Sequence, residues 1–193
     1  MVIGITGGVG AGKSAVLSYL SQKYKANLLV ADEIARQLLM PGERAHAKVK
    51  AIFPEELFEE DGTIKRQEMA GYIFMHPDMR QKQNDIVFPM VKEHIVEEIA
   101  KTDPDKLIVI EAALLIEEHY DEICDTMWYI HSSEEKRRAR LKENRGYPDE
   151  RIDAMFRSQL TEKDFQLHCE VVIDNDGTLE NTYLQIDKIL RGD

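Results

Sequence analysis

The sequence predicts an α/β fold: a mainly parallel, five-stranded sheet flanked by helices. Three observations lead there. Short apolar runs rich in β-branched residues recur along the chain, stretches of helical spacing separate them, and a glycine cluster joins the first run to the first helix. Strands that alternate with helices form parallel sheets, because a parallel connection needs a crossover.

The elements follow in order. "VIGIT" (2–6) is a buried strand ended by glycines, and "SAVLSYLSQKY" has apolar residues at Val16, Leu17 and Leu20, the period of a helix. "NLLVAD" (27–32) is a second strand ending at a carboxylate, and "EIARQLLM" is a short helix stopped by Pro41-Gly42. Residues 43–100 carry few strand signals and predict a mostly helical insertion, with a kink or break at Pro89. Strands resume at "KLIVIEAALL" (106–115), "TMWYIHS" (126–132) and "EVVIDNDG" (170–177), and a last helix covers about 178–190. Ser132 with Glu135 fits a capping box opening the helix "EEKRRARLKENR". The predicted domains are a nucleotide-binding core of 1–42 and 101–193 and an insertion of 43–100.

Composition bounds the function. A chain of 193 residues with 43% hydrophobic and 32% charged residues supports an ordinary globular core. A net charge of −11 argues against a nucleic-acid partner but leaves room for a small anion held by local charge. No apolar run reaches the ~20 residues of a membrane helix, so no membrane partner is expected. Cys124 and Cys169 form no CxxC pair, which fits a reducing, cytoplasmic setting. The histidines show no zinc-ligand spacing.

The glycine cluster carries the chemistry. Residues 7–14, "GGVGAGKS", match G-x-x-x-x-G-K-[ST] between a predicted strand and a predicted helix. Glycines let successive amides turn inward around an anion, and the helix start adds its positive end. Gly8, Val9, Gly10, Ala11, Gly12, Lys13, Ser14 and Ala15 are the candidate ATP contacts, Lys13 reaching the β- and γ-phosphates and Ser14 ligating Mg²⁺. A Rossmann reading fails because Lys13 stands where its third glycine belongs. No N/T-K-x-D guanine-reading motif occurs, so a small-metabolite kinase of the P-loop nucleotide kinase fold fits best. Kinases of another small alcohol or nucleotide, or a regulatory module that binds ATP without turnover, are the rival classes.

Further segments resemble the dephospho-coenzyme A kinase family over nearly the whole chain. They are "GITGGVGAGKS", "VADEIARQLLMPG" against D-A-D-x-x-x-R…P-G, "GTIKRQEM…IF" with His76-Pro77, "ALLIE" (113–117) against P-L-L-[FY]-E, the "RL…R…R.SQ" pattern of 140–159, and "VVIDNDG" (171–177). Four positions depart from that pattern: Ala15 for threonine, Val30 for aspartate, Phe88 for histidine and Ala113 for proline. The resemblance implies ATP-dependent phosphorylation of the ribose 3′-hydroxyl of dephospho-CoA, with ATP and Mg²⁺ as cofactors; the expected working form is a monomer or weak oligomer.

The resemblance makes Asp32 the general base, with the N-cap of the following helix as the plainer reading. Arg36, one turn on, holds a substrate phosphate, orients Asp32, or pairs with it. Arg140 and Arg145 match a lid segment of about 133–160, where arginines would neutralise the transferring phosphoryl group, and Arg157 is a similar candidate toward the acceptor. Lys13, Asp32 and Arg140 thus form the expected catalytic set. Glu111 holds Mg²⁺ through water or is a buried or capping carboxylate. Asn175 bonds the adenine edge or only shapes a turn. Tyr72, Phe74 and Phe88 shape a groove for the pantetheine arm or are simply core.

Overall fold

The first apolar run forms β1 (Val2–Thr6), buried along its whole length. The computed structural model describes residues 1–192, and these divide into two compact units: Met1–Leu29 with the residues from Asp103 onward, and Val30–Thr102. The division falls at Val30 and Thr102, where the sequence placed it at 42 and 100.

In the first unit the chain forms β1, α1 (Lys13–Tyr24), β2 (Asn27–Val30, its last residue at the boundary), β3 (Ile108–Glu111) and β4 (Thr126–His131). It continues through α6 (Glu134–Arg145), α7 (Asp149–Arg157), α8 (Glu162–His168), β5 (Val171–Asp174) and α9 (Leu179–Arg191). The sheet order is β2-β3-β1-β4-β5. β1 pairs in parallel with β3 and β4, and β4 with β5. The predicted five-stranded α/β architecture is therefore the observed one. Ile3, Ile5, Val109, Trp128, Ile130 and Ile173 fill the core with Val16 and Leu20 of α1 and Ile186 of α9. Strands covered on both faces need apolar residues at every position, which is why they read as unbroken runs.

The second unit holds α2 (Ala31–Leu38), α3 (His46–Lys50), α4 (Arg66–Met75) and α5 (Pro77–Lys101). α5 buries Val87, Val91 and Ile95, one residue per turn, and α2, α3 and α4 pack on it. No break occurs at Pro89. Its side is exposed, so the Asp85 carbonyl that loses its amide partner faces water. Two further expectations change. β2 stops at Val30 and Asp32 lies inside the first turn of α2, where the helix dipole favours a carboxylate. The capping box at Ser132 does not form: Ser133 is the N-cap of α6, and the Ser132 hydroxyl donates to Asp176 instead.

α1 is tied to α9 by one carboxylate. Asp187 accepts hydrogen bonds from Lys23 Nζ (2.6 Å) and from the Tyr19 and Tyr24 hydroxyls (2.7 Å each), and Tyr19 stacks on Tyr183 at 3.9 Å. Lys23 first, then the two phenols, hold Asp187 far below the ordinary carboxylate pKa. A depressed folded-state pKa stabilises the fold above the unfolded value of about 4, and that contribution fades as pH falls below it. Asp187→Asn is expected to lower the Tm at pH 7, and the gap to wild type should narrow below about pH 4. Thermal melts of both proteins across pH 3–7 check this. A gap that does not change with pH would remove Asp187 as its source.

Candidate active site

The loop between β1 and α1 takes the conformation that only glycine supplies. Gly10 and Gly12 have φ of 80° and 91°. A Cβ on Gly10 would lie 2.8 Å from the Arg137 carbonyl oxygen, and one on Gly12 would overlap the Asn175 side-chain amide. The Ala11 amide closes a turn onto Gly8 O (3.0 Å) and the Ala15 amide onto Gly12 O (3.1 Å). The Val9 amide donates to Gln159 Oε1 (3.1 Å). Among the described residues, the amides of Gly10, Gly12 and Ser14 have no acceptor. They stand at the N-terminus of α1, which has no side-chain cap. Open amides at a helix start form an anion site.

Lys13 bends over this loop, with Nζ donating to Gly7 O at 2.8 Å and standing 3.6 Å from a Glu111 oxygen. Glu111 ends β3. The Ser14 side chain is exposed at the first turn of α1. No cluster of three His, Cys, Asp or Glu side chains able to hold a metal occurs among the described residues. Mg²⁺ in phosphoryl-transfer sites takes one or two protein oxygens and fills its shell with phosphate and water, so a serine hydroxyl and a nearby carboxylate suffice as a donor set.

Two arginines of α6 grip the loop from behind. Arg140 donates through Nη1 to Gly10 O (3.2 Å), Ala11 O (3.2 Å) and Ser132 Oγ (3.0 Å), and through Nη2 to Asn175 O (2.7 Å). Arg137 donates to Val9 O (2.9 Å) and Gln159 Oε1 (2.9 Å) and lies over the Phe156 ring at 4.3 Å. Burial lowers the Arg137 pKa. The expected transition-state contact of Arg140 is thus replaced, in this structure, by bonds to loop carbonyls. Asn175 also differs from expectation. It is 2% exposed, its amide donates to Ala11 O (2.7 Å) and its carbonyl accepts from Thr182 (2.8 Å), so it braces the loop and offers no edge to a base. Burial works to raise the pKa of Asp176, but the Ser133 amide and the hydroxyls of Ser132 and Ser133 outweigh it and hold it low.

Arg140→Ala is expected to raise the KM for ATP at least ~10-fold, because the loop loses its two ties at Gly10 and Ala11 together with the links to Ser132 and Asn175, with kcat falling less. Steady-state kinetics separate the alternatives: a kcat loss at unchanged KM would return Arg140 to the transferring phosphate.

The other arginines divide. Arg138 is absorbed by Glu134, Asp149 and Asp153 (2.6–3.0 Å). Arg145 and Arg157 are exposed at the C-terminal ends of α6 and α7. Arg145 hydrogen-bonds Tyr147 and lowers that phenol's pKa, and Arg157 has no ion pair among the described residues.

In the second unit, Asp32 and Arg36 are exposed on successive turns of α2, and no ion pair or hydrogen bond engages either among the described residues. Asp32 is not the N-cap, since that position belongs to Val30. The unit also contains a cavity of about 220 Å³, to which Arg36 and Arg66 contribute. Tyr72, Phe74 and Phe88 do not line it; Phe74 is 83% exposed and Tyr72 stacks on His76 at 4.2 Å. Sequence reasoning left Gln159 without a role and did not separate Arg137 from the basic run around it.

A central parallel strand, a glycine loop with open amides and a lysine folded over it define a P-loop phosphotransferase. The profile of the CoaE: Dephospho-CoA kinase family matches residues 1–181. The dephospho-CoA kinase of Shouchella clausii is 32% identical over 188 residues, covering 96% of this chain and 95% of that protein. Among solved structures, Thermus thermophilus TT1252 superposes with a TM-score of 0.83 at 25% identity, covering 100% of this chain and 97% of the other. The dephospho-CoA kinase of Campylobacter jejuni shares the fold with a TM-score of 0.73 at 18% identity, covering 99% and 98%. The chain belongs to the dephospho-CoA kinase family and is an ATP-dependent phosphotransferase. No helix among the described residues is long and apolar enough to cross a membrane.

Proposed function

We propose that this chain transfers the γ-phosphoryl group of ATP to the ribose 3′-hydroxyl of dephospho-CoA, giving CoA and ADP, with Asp32 as the base. The full-length family match supports the reaction. The observation that carries the assignment of Asp32 is its unpaired, exposed carboxylate, which follows β2 by two residues. Ligands of open α/β sheets gather beyond the carboxyl ends of the strands.

The triphosphate lies on the amides of Gly10, Gly12 and Ser14, and Lys13 leaves the Gly7 carbonyl to follow the γ-phosphate. Asp32 orients the incoming hydroxyl and takes its proton as the new P–O bond forms. Ser14, with Glu111 through water, would hold Mg²⁺, which neutralises phosphate charge when bound. Arg137, Arg140, Gln159 and Asn175 keep the loop open for the nucleotide. The segment 133–160 serves as lid, with Arg145 and Arg157 as its phosphate-facing charges. Residues 30–102 receive the acceptor, and Arg36 stands one turn from the base.

The test is ADP release on a panel of alcohols. Release should require dephospho-CoA and be absent with shikimate or gluconate. Equal turnover of several unrelated alcohols would overturn the assignment.

A further inference from the structure

One residue of the phosphate loop is gripped by both of its backbone groups. The Val9 amide donates to Gln159 Oε1 (3.1 Å), and the Val9 carbonyl accepts from Arg137 Nε (2.9 Å). Arg137 Nη2 donates to the same Gln159 oxygen (2.9 Å), which closes a ring of three hydrogen bonds. The ring joins the loop, α6 and the link 158–161 between α7 and α8. Gly8 makes room for it. Gly8 has no positive φ to call for a glycine, yet a Cβ there would lie 2.5 Å from Arg137 Cζ. Its bare Cα is what admits the guanidinium.

The geometry bears on the anion site next door. The Val9 carbonyl and the open Gly10 amide belong to one trans peptide, so they point in opposite directions. Arg137 holds the carbonyl back and so turns the Gly10 amide the other way. Arg137 itself has no ion pair among the described residues; its place is set by this ring and by the face of Phe156 at 4.3 Å. Gln159 works through its carbonyl oxygen alone, since its Nε2 forms no hydrogen bond among the described residues.

We propose that Gln159 is a positioning residue for the nucleotide: its Oε1 sets Val9 and Arg137 together and ties the end of α7 to the conformation of the phosphate loop. Phe156 and Arg157 immediately precede the link, so the last turn of α7 follows the loop. Occupancy of the loop and order at the link are then reciprocal, each favouring the other. The inference rests on the reading that the triphosphate lies on this loop.

Calorimetry of the full chain with a non-hydrolysable ATP analogue should show binding weakened about 10-fold by Gln159→Met and at least that much by Arg137→Met. The double variant should bind no more than ~2-fold worse than Arg137→Met alone, because both side chains act on one peptide. Gln159→Met should raise the KM for ATP by the same factor and leave kcat and the KM for dephospho-CoA within ~2-fold of wild type. Hydrogen exchange reads the coupling: the analogue should slow exchange over 155–161 in wild type and much less in Gln159→Met. Thermal melts establish that the variants are folded, and Gln159→Ala provides a second replacement with the same expected loss. Losses that multiply in the double variant would put Gln159 on the ligand itself and overturn the inference. Unchanged affinity in both folded Gln159 variants, or equal protection of the link in wild type and Gln159→Met, would overturn it as well. Failure of wild type to bind the analogue at all would instead overturn the nucleotide reading of the loop, a result these variants do not imitate.

Discussion

Asp32→Asn is expected to lower dephospho-CoA-dependent turnover at least ~100-fold while ATP binding stays within a few-fold of wild type. The asparagine keeps the size and much of the hydrogen bonding but cannot accept the hydroxyl proton. The side chain is exposed on α2 and engages no partner among the described residues, so its loss should leave the Tm nearly unchanged. That separates chemistry from folding. A variant with wild-type turnover would show that the 3′-hydroxyl needs no carboxylate here. A Tm loss beyond the few degrees that the helix-dipole contribution explains would show that Asp32 has a further structural role.

Lys13→Met is the second large effect, with an expected loss of about 10³-fold in kcat/KM for ATP. The methionine retains the side chain's length and apolar stem and deletes the ammonium. In the present structure that ammonium is divided between the Gly7 carbonyl and Glu111. The side chain is 18% exposed, so the charge acts in a partly desolvated site where phosphate attraction is stronger than in water. Lys13→Arg should recover little, because a planar fork cannot replace a compact charge beneath a tight loop. Kinetics with ATP as the varied substrate check both variants. A mere twofold loss for Lys13→Met would place phosphate binding on the amides alone.

Both effects fall on residues that short stretches of sequence made visible. Lys13 belongs to a pattern whose spacing is dictated by backbone geometry, and the strands showed as apolar runs because both faces of the sheet are covered. What stayed hidden has a common cause. Gln159 reaches Val9 across 150 positions, Asn175 reaches Ala11 across 164, and Asp187 reaches Tyr19 across 168. A single polar residue carries no period, so nothing local marks it as the brace of a distant loop. Ser132 misled for the same reason. Its spacing to Glu135 fits a capping box, but Asp176, 44 residues later, takes the hydroxyl. The start of α2 was obscured because "NLLVAD" is apolar up to the aspartate, and the turn from strand to helix needs no glycine or proline there.

Arg140 is the sharpest of these differences. A basic helix following a sheet strand suggests a cation for the nucleotide, and the charge is indeed close to the loop. Its donors, however, meet carbonyl oxygens of Gly10, Ala11 and Asn175, which fixes the loop with its amides turned the other way. Preorganised amides cost no rearrangement when charge develops on the phosphoryl group, so holding the loop in this form is itself a contribution to binding and transfer.

The most direct measurement is a crystal structure of the chain with a non-hydrolysable ATP analogue and dephospho-CoA bound together. The account predicts the γ-phosphate on the amides of Gly10, Gly12 and Ser14 beside Lys13, and the ribose 3′-oxygen within about 3 Å of an Asp32 carboxylate oxygen. A ternary complex that holds both reactants but places the 3′-oxygen against a different base, with Asp32 still in solvent, would contradict it.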